Sequence, residues 1–128
     1  MLLNRDPSEA YRRVDFDARV KGANSRQLVD LCLEQVAGSV GRAIHANGRG
    51  DNGAKSAALT RAVAALTALQ MGVDGNAPTG QALLQLYMAA RTAILDSVLT
   101  FDAAGLAQIR QDFIEIRQAM IGAQPPAP

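Results

Sequence analysis

The chain has 128 residues, a formal net charge of +1, 48% hydrophobic and 4% aromatic residues, and one cysteine. This length allows one domain with one real core. Its scattered, nearly balanced charge gives no electrostatic case for nucleic acid or an anionic membrane, and one cysteine excludes a disulfide framework or a cysteine-based metal site within the chain.

Abundant Ala and Leu with few aromatics favours helix over sheet, because strands prefer aromatic and β-branched side chains. The fold class expected is all-α. Met1-Leu2-Leu3 is followed at once by Asn4-Arg5-Asp6-Pro7, which does not read as a secretory signal. The run Ala62–Val73 reads as the most apolar region, far short of the roughly 20 apolar residues of a spanning helix. No membrane insertion is expected, and the lone Cys32 fits a reducing, cytoplasmic setting.

Residues 1–23 read as a separate N-terminal arm. Pro7 and Ser8 can open a short helix, with Glu9 in its first turn. From Val14 to Lys21 apolar and polar residues alternate, a strand-like pattern with no partner strand. A short helix or an extended arm lying on the remaining helices is expected. Tyr11, Val14, Phe16 and Val20 are apolar residues that such an arm must dock somewhere.

The first long helix is expected over about 25–46, capped by Asn24 or Ser25. Leu28, Leu31, Cys32, Val36, Val40 and Ile44 recur at helical spacing and form one apolar stripe. Gly38 and Gly41 each cost about 1 kcal/mol relative to Ala inside a helix, which points to close approach by a neighbour or a bound peptide. Turn residues from Asn47 to Gly53 end the helix. A second helix is expected over about 54–71, with Leu59, Ala62, Val63, Leu66, Leu69 and Val73 in period.

Pro78 then opens a third helix to about Leu99. Leu83, Leu86, Tyr87, Ala90, Ile94 and Val98 form one stripe, and Leu84, Met88, Leu95 and Leu99 add a second. A stripe so broad predicts a central helix touched from two sides. Asp102 is the natural cap of a fourth helix to about Ile121, where Leu106, Ile109, Phe113, Ile116 and Met120 make a seam. Residues 122–128 read as a disordered Pro-rich tail. Four amphipathic helices with short links, over 24–121, predict an antiparallel up-down-up-down four-helix bundle.

No catalytic constellation emerges. The single histidine, His45, sits near a helix C-terminus, where it favours the dipole and the last carbonyls. Ser39 and Ser97 lack an activating motif, and Cys32 reads as a small core residue. The Glu-x-x-His pattern of carboxylate-bridged metal bundles is absent. Gly-Arg-Gly-Asp-Asn-Gly over 48–53 lacks the preceding strand and the Gly-Lys-Ser/Thr ending of a phosphate loop. No catalytic residue, metal ligand or cofactor is assigned.

Three short motifs in order carry a family resemblance. Ala10-Tyr11-x-x-Val14 lies in the arm, Ala23-x-Ser25-x-Gln27-Leu28 opens the first long helix, and Leu83-x-x-Leu86-Tyr87-Met88 lies on the third. Together they resemble the flagellar export chaperone family FliS, over about residues 10–121. Arg26 stands where the family usually carries Pro, Cys32-Leu33-Glu34 where it often carries Tyr-Asp-Gly, and Met88 where an Asp is expected. The chain looks like a divergent member.

The resemblance implies a cytoplasmic, non-enzymatic chaperone that binds the C-terminal segment of flagellin. It would prevent premature polymerisation and aid export, with components of the export apparatus as further partners. A disordered apolar segment can fold as helices along exposed grooves, its ordering entropy offset by apolar burial. The residues expected to contact this client, or to dock the arm, are Tyr11, Val14, Leu28 and Leu31. The alternative is a helical-bundle adaptor or regulatory protein acting through homodimerisation.

Overall fold

The computed structural model describes residues 7–122, which form α1 (Pro7–Lys21), α2 (Ser25–Gly48), α3 (Asn52–Met71), α4 (Pro78–Leu99) and α5 (Ala103–Gly122). Among the described residues there is no strand. Residues 1–6 of the expected arm and 123–128 of the expected tail lie outside the described residues.

The alternation from Val14 to Lys21 does not yield an extended piece; α1 is helical through Lys21. An extended segment without a neighbouring strand leaves its backbone groups to water, whereas a helix pairs them internally. Glu9, Arg12, Phe16 and Val20 fall on one helical face and are the partly covered residues of α1.

The start of α2 is fixed by a capping box. Asn24 Oδ1 accepts from the Gln27 amide and Gln27 Oε1 accepts from the Asn24 amide, both at 2.9 Å. At its end Gly50 adopts φ +72°, a left-handed conformation that Gly alone takes without strain. Asp51 then caps α3 through the Ala54 amide at 3.0 Å, and Asp102 caps α5 through the Gly105 amide at 2.9 Å. Pro78 occupies the first turn of α4. Two residues on, Gly80 is buried, and a Cβ there would collide with the Asp74 carbonyl oxygen.

α2 is the most extensively packed helix. It lies extensively against α3 and α5; α3 packs on α4, while α4 and α5 touch lightly. Ala43 on α2 and Ala58, Ala62 and Ala65 on α3 are buried, so small side chains let these two backbones come close. Leu33, Val36, Val40, Leu66 and Ile94 fill the core. Each such side chain contributes roughly 1.5–3 kcal/mol by leaving water. Tyr87 from α4 and Phe113 from α5 meet with ring centroids 6.0 Å apart and planes tilted by 34°. That aromatic pair joins two helices whose backbones touch only lightly.

Gly38 and Gly41, the two glycines in the interior of α2, have different neighbours. A Cβ at Gly41 would lie 3.1 Å from Arg110 Nε of α5, so this position does admit a close neighbour. At Gly38 the nearest group is the guanidinium of Arg42 on the same helix, at 3.3 Å.

Candidate functional site

The broad apolar pattern of α4 resolves into two faces with different fates. Tyr87, Ala90 and Ile94 are buried in the core. Met88, Leu95, Val98 and Leu99 remain 55%, 43%, 65% and 91% exposed. Of the two sides expected, α3 packs on α4 and α5 only touches it lightly, and among the described residues the second face stays largely uncovered at Met88, Leu95 and Leu99. A row of large apolar side chains on the surface is a feature of docking sites.

This face continues into a groove against α3. Leu95 and Val98 form one wall and Leu59, Thr60 and Val63 the other, with Ile94 at the floor. Lys55 stands at the end of the groove, its Nζ accepted by Asn47 Oδ1 at 3.1 Å and 5.2 Å from the centre of the Phe101 ring. The groove is mostly apolar, with Thr60 in one wall and Asn52, Lys55 and Ser56 also lining it.

By length and composition alone α4 could cross a membrane, and 22% of its apolar window is buried. α4 is the longer apolar helix, while Ala62–Val73 lies on and just after α3 and carries no charged residue. Arg91 and Asp96 interrupt the window on the exposed side.

The residues expected to contact a partner are split by the fold. Tyr11 and Val14 are 74% and 69% exposed on the outer side of α1, so they do not dock this helix. Phe16 and Val20 are half-buried instead. Leu28 is half-buried and Leu31 buried on α2. Leu31 shares a helical stripe with Gln35 and Arg42, the side on which α1 is attached. The structure does not bring these residues together into one patch.

α1 is attached by charge. Glu9 pairs with Arg61 of α3 at 3.1 Å, and Arg61 also lies 6.0 Å from the centre of the Phe16 ring. The Gln35 amide, turned so that its oxygen faces Arg61, accepts from Nε and Nη2 at 2.9 and 3.1 Å. Further along, Arg19 pairs with Glu34 at 3.0 Å. Glu34 is shared, since Arg117 of α5 reaches it at 3.1 Å while forking onto Asp30 at 2.7 and 3.1 Å. That bidentate bond to Asp30 pushes the Arg117 guanidinium pKa up.

Sequence patterning does not separate the exposed stripe of α4 from its buried one. Its signal was the excess width of the apolar pattern. Chemistry at Cys32 and Tyr87 is disfavoured: burial pushes both the thiol and the phenol up, so neither ionises readily. Among the described residues no group of three or more His, Cys, Asp and Glu side chains is placed to hold a metal ion.

A family model described as flagellar protein FliS matches residues 7–126. The chain belongs to the FliS family. All five helices fall within the matched span, including the motifs at Tyr11 and Tyr87. FliS proteins are flagellar export chaperones that act on flagellin, which places this chain in flagellum biogenesis and protein secretion. No curated protein matches it.

Proposed function

We propose that this FliS-family chain is a non-enzymatic, cytoplasmic chaperone that holds the C-terminal segment of flagellin as helix against α4. On this reading α2–α5 form an antiparallel up-down-up-down bundle with α1 laid along it. The observation that carries the proposal is the uncovered face of Met88, Leu95, Val98 and Leu99, continuous with the α3–α4 groove. An amphipathic client helix laid there would bury both apolar surfaces at once. Held in this way, the segment cannot join a growing filament before export.

Tyr11 and Val14 then contact the client from α1, and Leu28 and Leu31 from α2. Leu31 is 7% exposed, so a client reaches it only if the side chains around it give way. Export-apparatus components would engage the loaded chaperone. The same α4 face would serve a second copy of the chain, which is the homodimer reading.

Two binding measurements decide between these readings. Flagellin is expected to bind the wild-type chain, and flagellin lacking its C-terminal segment is expected not to. Leu95→Asp with Val98→Asp should weaken binding more than about tenfold, since each places a charge in an apolar groove. Undiminished binding in either experiment sinks the client proposal. A concentration-dependent dimer in sedimentation, abolished by the same substitutions and unaffected by flagellin, would favour homodimerisation.

A further inference from the structure

A second cavity, of about 450 Å³, lies between α1, α2 and the start of α3. It shares no lining residue with the α3–α4 groove, and its wall adds four arginines to a set of small apolar side chains. Arg12 and Arg13 reach it from α1, Arg42 from α2 and Arg49 from the turn that follows. The carboxylates in its wall are Glu9 and Asp51, and both are already engaged. Glu9 faces Arg61 at 3.1 Å and Arg12 at 3.8 Å. Asp51 faces Arg49 at 3.6 Å and caps α3.

Arg13 and Arg42 are the surplus. Among the described residues neither has a carboxylate within ion-pair distance. Arg42 donates from Nη2 to Ser39 Oγ at 3.0 Å, but its Nε is buried and has no acceptor among the described residues. A buried donor left without an acceptor is destabilising, the more so when it is charged. Burial, and then the nearby Arg12 guanidinium, push Arg42 down from the ordinary arginine range; Glu9 pulls it back and Arg61 adds to the repulsion. Three guanidiniums thus crowd one carboxylate beside an open cavity.

We infer that this cavity binds a small oxyanion of the phosphate class, free or as the head of a phosphate monoester. Planar guanidinium forks match the oxygens of such a group and are the strongest neutral-pH donors for it. A cationic ligand would add to the existing repulsion, and a neutral one would leave it unrelieved. The volume lies within the range of small-ligand sites, roughly 300–1,000 Å³, and leaves room beyond a bare phosphate. Because Arg13 belongs to α1 and Arg42 to α2, the bound anion ties α1 down onto α2.

The test is a thermal titration of the full chain with inorganic phosphate and, separately, with adenosine monophosphate, ionic strength being held constant with chloride. A saturable rise in melting temperature is expected with at least one probe. A rise with both at similar concentrations makes the free ion sufficient; a rise with the monoester alone makes the monoester the ligand. Arg13 is exposed, so Arg13→Gln should leave the unliganded melting temperature unchanged and weaken binding about tenfold. Arg42→Lys keeps the charge and removes the fork, and should weaken binding as well. Arg91→Gln on α4 serves as the control and should bind like wild type. No saturable rise with either probe, or equal binding by wild type and Arg13→Gln, overturns the proposal. So does an equal loss in Arg91→Gln.

Discussion

In α1 no residue is buried, and its contacts to the other helices run through Glu9–Arg61, Arg19–Glu34 and the Arg61–Phe16 stack. In α4 the attachment is Tyr87, Ala90 and Ile94 sunk in the apolar core. Yet both helices present large apolar side chains to solvent, Tyr11 and Val14 on one and Met88, Leu95, Val98 and Leu99 on the other. Exposure alone therefore does not distinguish them; attachment does. Ionic contacts at a surface are weak and screened by salt, whereas apolar burial is cooperative with the rest of the core. α1 is thus held mainly by contacts that salt can screen, and α4 by contacts in the core.

The largest effect should come from cutting α4's anchor. Tyr87 is 1% exposed and stacked on Phe113. Tyr87→Ala should cost about 3–5 kcal/mol through lost burial and the cavity left behind. Urea denaturation should show one transition, shifted to lower midpoint with an unchanged slope. A separate early transition confined to α4 would break the comparison, because it would make α4 detachable too.

The attachment of α1 should yield a smaller and more local effect. The Glu9 and Arg61 side chains are 16% and 11% exposed, which places the pair between surface and buried salt bridges. Glu9→Gln should weaken α1 docking by about 1–2 kcal/mol, with Gln35 still serving Arg61. Amide exchange should speed up across residues 7–21 and stay unchanged in α2 and α3. Raising salt should reproduce this loosening in the wild-type chain. Exchange that accelerates equally in every helix would mean that α1 is part of the cooperative core after all.

These two helices also mark where sequence was informative. The seam of Leu106, Ile109 and Phe113, the caps at Asn24 and Asp102 and the Pro78 start follow from local rules that tertiary packing did not override. For α1 the periodicity failed because its inner face is Glu9, Arg12, Phe16 and Val20: half of that stripe is charged, so apolar spacing carries little signal. For α4 the spacing was legible but the fate of each stripe was not. Which of two apolar faces is buried depends on where α3 and α5 lie, and no property of residues 78–99 alone encodes that. Arg42 is similar, since its lack of an acceptor appears only once α1 is laid beside α2.

The smallest stability effect belongs to Leu99, and it tests the comparison most directly. Leu99 is 91% exposed at the last position of α4, so Leu99→Ser removes almost no native burial. Stability should stay within about 0.5 kcal/mol of wild type. Tyr11→Ser, also at an exposed apolar site, should be equally silent in denaturation. Binding should separate them. A client laid on α4 loses a preformed contact at Leu99, which should weaken binding of the flagellin C-terminal segment about three- to tenfold. A contact from Tyr11 forms only with α1 in the position the client requires, and part of its gain is offset by placing α1 there. Tyr11→Ser should therefore weaken binding less than Leu99→Ser at low salt. Raising salt frees α1 and should shrink the Tyr11 effect further while leaving the Leu99 effect unchanged. If both substitutions respond alike to salt, the client sees α1 and α4 as one rigid surface.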